Sequence, residues 1–211
     1  MKTSNELVKD YRKINTTCKE LENQIQETND RSVLSELTQQ LTLNKVKMDI
    51  IYNNYSYAIR EEVIEAIKTI LPKYAGKQYG EKTRQKISED IHEICGCRVY
   101  INNQYSYASS FSFYPDNRIG YDPDNYIYLS KQPNVNGILD SNQILNINDF
   151  ELYNHKHYYE NVNKTAKDKI KLFEKLNKVA KEFNAIADEY NDFPHNKYID
   201  KIYLMHDISN Y

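Results

Sequence analysis

Residues 3–37 read TSNELVKDYRKINTTCKELENQIQETNDRSVLSEL, and this stretch decides the fold. Its first part carries a seam of mostly apolar residues at alternating intervals of four and three, which is typical of a coiled coil. The seam consists of Leu7, Tyr11, Ile14, Cys18, Leu21 and Ile25. Thr3 and Glu6 have the spacing of a capping box at the start of a helix. Asn29 to Ser32 then interrupt the pattern with residues that favour turns and N-caps.

A second helical seam begins directly after this break. It consists of Leu34, Leu37, Leu41, Asn44, Met48, Ile51, Tyr55 and Ala58. The break is too short for the two helices to lie apart, so the sequence predicts an antiparallel helical hairpin. The apolar positions then rotate to Ile59, Val63, Ile67, Ile70 and Leu71, until Pro72 ends the helix. We expect either a bend near residues 53–54 or a rotated continuation of one helix.

The next segment changes from helical to strand patterning. Residues 81–95 predict a short helix with Ile87, Ile91 and Ile94 facing inward and Gly96 as its C-terminal stop. From Cys97 onward the apolar period is two, which predicts a small antiparallel sheet of three or four strands. The alternating pairs are Val99 and Ile101, Tyr105 and Tyr107, Phe111 and Phe113, and Tyr126 and Tyr128. Residues 131–148 read as a connecting loop.

A long amphipathic helix is predicted near the C-terminus. Its stripe is Leu172, Leu176, Val179, Phe183, Ile186 and Tyr190, which Phe173, Ala180 and Ala187 widen. We expect this stripe to face the core and Pro194 to end the helix. Residues 198–205 then predict either a strand returning to the sheet or a last helical turn.

These elements predict an α+β fold. We expect the helical hairpin and the long C-terminal helix to form a coiled-coil-like bundle, with the small antiparallel sheet inserted between them. The segments are 1–95, 96–148 and 149–211, forming one structural unit. If the C-terminal helix leaves part of the seams of the N-terminal hairpin uncovered, we expect the leftover stripe to pair two copies, so the sequence allows a monomer or a homodimer.

The composition describes a globular chain. Hydrophobic residues make up 40% and charged residues 27%, and 20 Tyr give more aromatic surface than a disordered chain carries. No apolar run approaches the ~20 residues of a membrane span, and residues 1–13 lack a signal-peptide core. Three cysteines make a poor disulfide framework. We therefore expect a cytoplasmic protein that does not bind membranes.

No motif predicts catalysis or a cofactor. The sequence contains no G-x-S-x-G or H-E-x-x-H pattern, so we expect a protein that is not an enzyme. His92, Cys95 and Cys97 form H-x-x-C-G-C, which offers three soft metal ligands at a helix end. Because a structural zinc site usually takes four ligands, these are weak candidates, and half-buried thiols at a corner are the other interpretation.

The charge distribution suggests a docking face. The net charge is −2, yet residues 115–160 hold seven acids against three bases and border the tyrosine-rich strands. Exposed tyrosines provide rigid amphipathic contact area, and a local lack of lysine favours an interface. The predicted partner-binding residues are Tyr105, Tyr107, Asp116, Tyr121, Asp122, Asp124, Tyr126 and Tyr128.

We therefore predict a non-enzymatic protein–protein interaction module. The composition, rich in Lys, Asn, Ile and Tyr, is that of an AT-rich genome. Our hypothesis is a phage or mobile-element inhibitor that binds a host nucleic-acid-processing protein through this acidic, tyrosine-rich face.

The alternative is a direct nucleic-acid-binding protein. Residues 164–182 hold seven lysines against three acids, which makes a local basic stripe. Lysines neutralise phosphates, so binding through them weakens as salt rises. The candidate residues are Lys164, Lys167, Lys171, Lys175 and Lys178.

Overall fold

A computed structural model describes residues 2–102, 110–119, 126–128, 137–139, 149–194 and 197–204. It confirms the α+β fold. The helices are α1 (Ser4–Glu27), α2 (Arg31–Ile70), α3 (Glu81–Cys95) and α4 (Asp149–Asn191), with a 3-10 helix at Leu71–Tyr74 after α2. The strands are β1 (Cys97–Asn102), β2 (Ser110–Pro115) and β3 (Tyr126–Tyr128). Among the helices in these ranges, none has both the length and the apolar character needed to cross a membrane.

The contacts within the chain divide it into two compact units. The sheet unit consists of Met1–Lys9 and Tyr52–Tyr159, and contains α3 and the three strands. The bundle unit consists of Asp10–Ile51 and Glu160–Tyr211. Helices α1, α2 and α4 contribute residues to both units.

The predicted helix starts are confirmed by their hydrogen bonds. The backbone N–H of Thr3 donates to Glu6 Oε2 (2.8 Å), and the backbone N–H of Glu6 donates to Thr3 Oγ1 (3.3 Å). This reciprocal pair is the capping box. Asp30 caps α2, because its Oδ1 accepts from the backbone N–H groups of Ser32 (2.8 Å) and Val33 (3.2 Å).

The helical hairpin is confirmed in each unit by contacts between α1 and α2. In the bundle unit Cys18 Sγ lies 3.6 Å from Met48 Sδ, and Lys45 pairs with Glu22 at 3.5 Å. In the sheet unit Ser4 Oγ donates to Glu62 Oε2 at 2.6 Å. The short connection therefore returns the chain antiparallel to α1.

Helix α2 is one continuous helix, so the second alternative, a rotated continuation, is what the structure shows. Its C-terminal part buries the predicted face of Ile59, Val63, Ile67 and Ile70. Its N-terminal part differs from the prediction. Leu34, Leu37 and Leu41 are only half-buried, and the most buried positions there are Ser35, Gln39, Thr42 and Val46. The buried face is rotated because α2 contacts α1 through one side and α4 through another, where Gln39 meets Asn177.

The sheet has the order β1-β2-β3 and is antiparallel throughout. Val99 lies opposite Phe113, and Phe111 lies opposite Ile127, and all four side chains are buried. The inward residue of β3 is thus Ile127, which lies between the predicted Tyr126 and Tyr128. Residues 105 and 107 lie outside the described part of the chain.

Helix α3 packs against β1, and Ser88 Oγ donates to the carbonyl oxygen of Val99. Ile87 and Ile91 are buried as predicted, but Ile94 is 51% exposed, so its predicted inward position is wrong. Gly96 ends the helix in the left-handed region (φ +64°), and its N–H donates to the carbonyl oxygen of His92 at 2.8 Å. The predicted C-terminal stop is confirmed. Ile94 faces outward because it lies in the last turn of α3, next to the exposed residue Gly96.

The predicted orientation of α4 is right for one edge of the predicted stripe and wrong for its centre. Phe173, Ala180 and Ala187, which widen the stripe, are buried, but the six larger residues that include Leu172 are exposed. Alternating with the three buried residues on the same face are Asn177, Asn184 and Asn191, seven residues apart, which we call the asparagine ladder. Residues 150–159, whose sequence is ambiguous, belong to the helix.

The asparagine ladder holds the chain that follows α4. Asn184 Nδ2 donates to the carbonyl oxygen of Ile202 (2.9 Å), and the N–H of Ile202 returns a bond to Asn184 Oδ1 (2.7 Å). Asn191 makes the same pair of bonds with Ile199, at 2.9 and 2.8 Å. Asn177 Nδ2 donates to Gln39 Oε1 of α2. Residues 197–204 form neither a strand nor a helical turn, so both predictions for this tail are wrong. The side-chain amides of Asn184 and Asn191 form hydrogen bonds with the backbone of the tail, as a neighbouring strand would in a sheet.

Replacing Asn191 by alanine is expected to loosen the tail locally. Two hydrogen bonds to Ile199 are lost, each of roughly 1 kcal/mol, so the amide of Ile199 should exchange with deuterium at least about fivefold faster. Hydrogen exchange read by NMR measures this rate. The matched control is Asn161→Ala, at an exposed asparagine of the same helix, which should leave the rate unchanged. Equal exchange in both variants and the wild type contradicts the role of the ladder.

Candidate functional site

The outer face of α4 carries a row of large apolar side chains, which we call the apolar stripe. Their exposed fractions lie between 38% and 65%. The stripe consists of Leu172, Leu176, Val179, Phe183, Ile186 and Tyr190. At 1.5 Å per residue it is about 27 Å long. A contiguous apolar surface of this kind marks an interaction site more often than a solvated face.

The apolar stripe and the buried face are adjacent seams of one helix. Each buried residue follows a stripe residue directly in sequence, as Phe173 follows Leu172 and Ala180 follows Val179. Both seams repeat at intervals of four and three, so both have coiled-coil spacing. The sequence pattern identifies Phe173, Ala180 and Ala187 only as the edge of the apolar stripe, and it does not identify the asparagines that lie on the same face. The signal for a separate second seam is asparagine at every seventh position, alternating with alanine.

Charged residues flank the apolar stripe on the side away from the buried face. Lys175, Glu182 and Glu189 lie there at intervals of seven and are exposed. Lys178 Nζ lies 3.8 Å from Glu182 Oε1, which offsets part of the charge of that carboxylate. The outer surface of α4 therefore combines an apolar centre with a charged border on one side. This is the anatomy of a protein-binding surface.

The five lysines of the nucleic-acid alternative also lie on α4. Lys164, Lys167, Lys171, Lys175 and Lys178 are all exposed. Acids are interleaved with them, since Lys171 pairs with Asp168 at 3.6 Å and Lys178 pairs with Glu182. The lysines lie within 15 residues of helix, from Lys164 to Lys178, which is about 21 Å. The structure thus places the five lysines on one helix, but the acidic residues among them reduce the positive charge of that surface.

The acidic, tyrosine-rich face falls mostly outside the described residues. This holds for Tyr105, Tyr107, Tyr121, Asp122 and Asp124. Tyr126 and Tyr128 belong to β3, but the placement of their side chains is not among the described features.

Asp116 is the one residue of that predicted face whose side chain the structure describes. Its Oδ2 lies 2.7 Å from His92 Nε2, and its Oδ1 lies 3.4 Å from Arg98 Nε. The carboxylate therefore joins α3 to β1 and to the end of β2, and its charge is engaged within the sheet unit. The hydrogen bond to His92, followed by the charges of His92 and Arg98, holds the pKa of Asp116 below its ordinary value.

An open groove of about 530 Å³ lies beside this cluster, between α3 and β1. Arg84, Ser88, His92 and Tyr100 contribute to its lining. The hydroxyl of Ser88 is bonded to the Val99 carbonyl, and the His92 ring is bonded to Asp116. Both groups therefore serve to hold α3 on the sheet.

The thiols of Cys95 and Cys97 lie at the corner between α3 and β1. Cys95 Sγ is 3.2 Å from the carbonyl oxygen of Ile91, and Cys97 Sγ is 3.6 Å from that of Cys95. A hydrogen bond from Cys97 lowers the pKa of Cys95, while that bond and burial raise the pKa of Cys97. Within the described ranges, His92, Cys95 and Cys97 do not form a metal-binding group, nor do any other three His, Cys, Asp or Glu residues.

Comparisons of the chain with protein-family models, with curated proteins and with solved structures find no match.

The pairing of Asp116 predicts a pH dependence. Because its pKa in the folded protein is lowered, the stability from this pairing is present above about pH 4 and is lost as pH falls through the lowered value. His92→Ala should raise the pKa of Asp116 towards the ordinary value, since it removes the largest cause of the shift. Titration of the carboxyl carbon by NMR measures this.

The control for that titration is Lys86→Ala, at an exposed cation on the same helix. It should leave the titration of Asp116 unchanged. A wild-type pKa at or above the ordinary aspartate value contradicts the pairing, as does an unchanged pKa in His92→Ala.

Proposed function

We propose that this protein is a non-enzymatic protein–protein interaction module whose contact surface is the apolar stripe of α4. The observation that supports it is the exposure of six large apolar side chains in one row on a helix of 43 residues. Binding to another protein removes this apolar surface from water, and that removal favours association.

The six side chains of the apolar stripe are large enough for their burial to favour association. Burying an exposed Leu, Val, Ile or Phe side chain fully contributes about 1.5–3 kcal/mol. The six residues are already partly covered, so each contributes a fraction of this, but together they suffice for specific association. Their interval of four and three is that at which one helix packs against another, knobs into holes. A helical partner therefore fits the surface best.

The finer hypothesis remains an inhibitor, of phage or mobile-element origin, that binds a host nucleic-acid-processing protein through the acidic, tyrosine-rich face. It is supported by the charge pattern of residues 115–160 and by the composition. Asp116 contributes little to it, because its carboxylate is already bonded to His92 and paired with Arg98 within the sheet unit.

A second candidate function is direct binding of nucleic acid through α4. The observation that favours it is the exposure of all five candidate lysines along about 21 Å of helix. Asp168 and Glu182 oppose it, because they pair with Lys171 and Lys178 and repel phosphates. We therefore place protein binding first.

Capture experiments with matched variants distinguish the two functions. The bait is the tagged chain, incubated with nuclease-treated lysate of cells that encode it. The stripe variant, Leu176→Ser with Phe183→Ser, should lose at least about nine-tenths of the captured protein, since polar side chains at these positions cannot pack against a partner helix. The lysine variant, Lys164→Glu with Lys171→Glu, should keep it. Circular dichroism checks that both variants remain helical.

Two outcomes contradict the proposal. One is capture of the same proteins by the stripe variant as by the wild type. The other is recovery, from a parallel lysate without nuclease, of nucleic acid that the lysine variant alone abolishes and that salt weakens steeply, which favours the second function.

A further inference from the structure

We infer that the partner of the apolar stripe is a second copy of the same stripe, packed antiparallel to it, so that the chain forms a homodimer through α4. This inference rests on the proposed function and specifies its partner. It is carried by two features of the described residues, the order of side chains along the stripe and the charges on its border.

The stripe is self-complementary when it is reversed. In heptad notation its residues occupy positions d and a in alternation, and an antiparallel pair of helices sets each a residue against a d residue of the partner. One register uses all six residues. It places Leu172 opposite Tyr190, Leu176 opposite Ile186, and Val179 opposite Phe183 of the second copy. The outer and central layers then each combine a larger side chain with a smaller one, as close packing requires.

The charged border has the same reversal symmetry. Lys175, Glu182 and Glu189 occupy successive g positions, and antiparallel helices bring g positions face to face. In the register above, Lys175 lies opposite Glu189 of the second copy, and this favourable pair occurs twice by symmetry. Glu182 lies next to Glu182 of the second copy, near the two-fold axis of the homodimer. Lys178, at 3.8 Å from Glu182, offsets this single like-charge contact on each side.

A parallel pair lacks these advantages. Its ion pairs need charged residues at e positions, but those positions are Phe173, Ala180 and Ala187, which are buried in the bundle unit. It also places Phe183 against Phe183 and Ile186 against Ile186, although β-branched residues at d disfavour parallel dimers. The charge and size patterns therefore select the antiparallel arrangement.

Sedimentation equilibrium of the purified chain, from about 1 to 200 µM, tests the homodimer. The expected mass is twice the chain mass of 25.0 kDa at the upper concentrations. Val179→Ser with Phe183→Ser should give a monomer at every concentration. The matched control is Lys181→Ser, at an exposed position on the opposite side of the helix from the stripe, which should dimerise like the wild type.

A charge swap tests the antiparallel register. Lys175→Glu or Glu189→Lys alone should each weaken dimerisation about tenfold, because each turns two favourable pairs into like-charge contacts. The double variant should recover the wild-type dissociation constant. A dimer that the single variants leave unchanged, or that the double variant does not restore, overturns the register and with it the inference.

The outcomes separate this inference from the proposed function. A wild-type chain that stays monomeric at 200 µM overturns the homodimer. If such a monomer still captures a different protein in a stripe-dependent way, the proposed function stands without the homodimer. If stripe substitutions affect neither mass nor capture, both fail.

Discussion

The hydrogen bonds of the asparagine ladder fix the rotation of α4 about its axis, and the rest of the bundle unit depends on that rotation. Asn184 and Asn191 bind the backbone of the tail, and Asn177 binds Gln39 of α2. The alanines between them let the neighbouring chain approach closely. Because these small and polar residues face inward, the larger apolar side chains one position earlier face outward. The apolar stripe is a consequence of the ladder.

The polar character of the facing helix explains why this rotation is stable. Ser35, Gln39 and Thr42 are the buried polar residues of α2 in the bundle unit, and a purely apolar face of α4 would leave the side-chain oxygen of Gln39 without Asn177 as its donor. Asn177 and the Ser35 side chain satisfy Gln39, and Ser35 also donates to the carbonyl oxygen of Leu204 in the tail. Apolar burial in the bundle unit also involves α1, where Cys18 and Leu21 are buried, and Val46 of α2.

The sequence predicts those parts of the fold that local chemistry determines. The capping box at Thr3, the turn and N-cap chemistry of residues 29–32 and the helix stop at Gly96 each depend on residues within one helical turn, and all are confirmed. The inward face of α4 depends on what α2 presents to it, which a pattern in α4 alone does not contain. The pattern therefore predicts the helical seam correctly and places only its edge, Phe173, Ala180 and Ala187, on the right side. The candidate acidic face stays a prediction, since most of its residues lie outside the described ranges. The five candidate lysines of α4 are exposed, as expected for charged side chains.

The central claim, that the apolar stripe faces outward while the alanine and asparagine face is buried, is tested most directly by thiol labelling of neighbouring residues. Val179 is 62% exposed and Ala180 is 8% exposed, so Val179→Cys and Ala180→Cys place a thiol on either face of one turn. A neutral maleimide, with the labelled peptide identified by mass spectrometry, measures both rates at protein concentrations low enough to avoid association. We predict that the thiol at position 179 reacts at nearly the rate of a free thiol and the one at position 180 at least about 100-fold more slowly, as local opening requires. Faster labelling at position 180, or equal rates at both positions, contradicts the account.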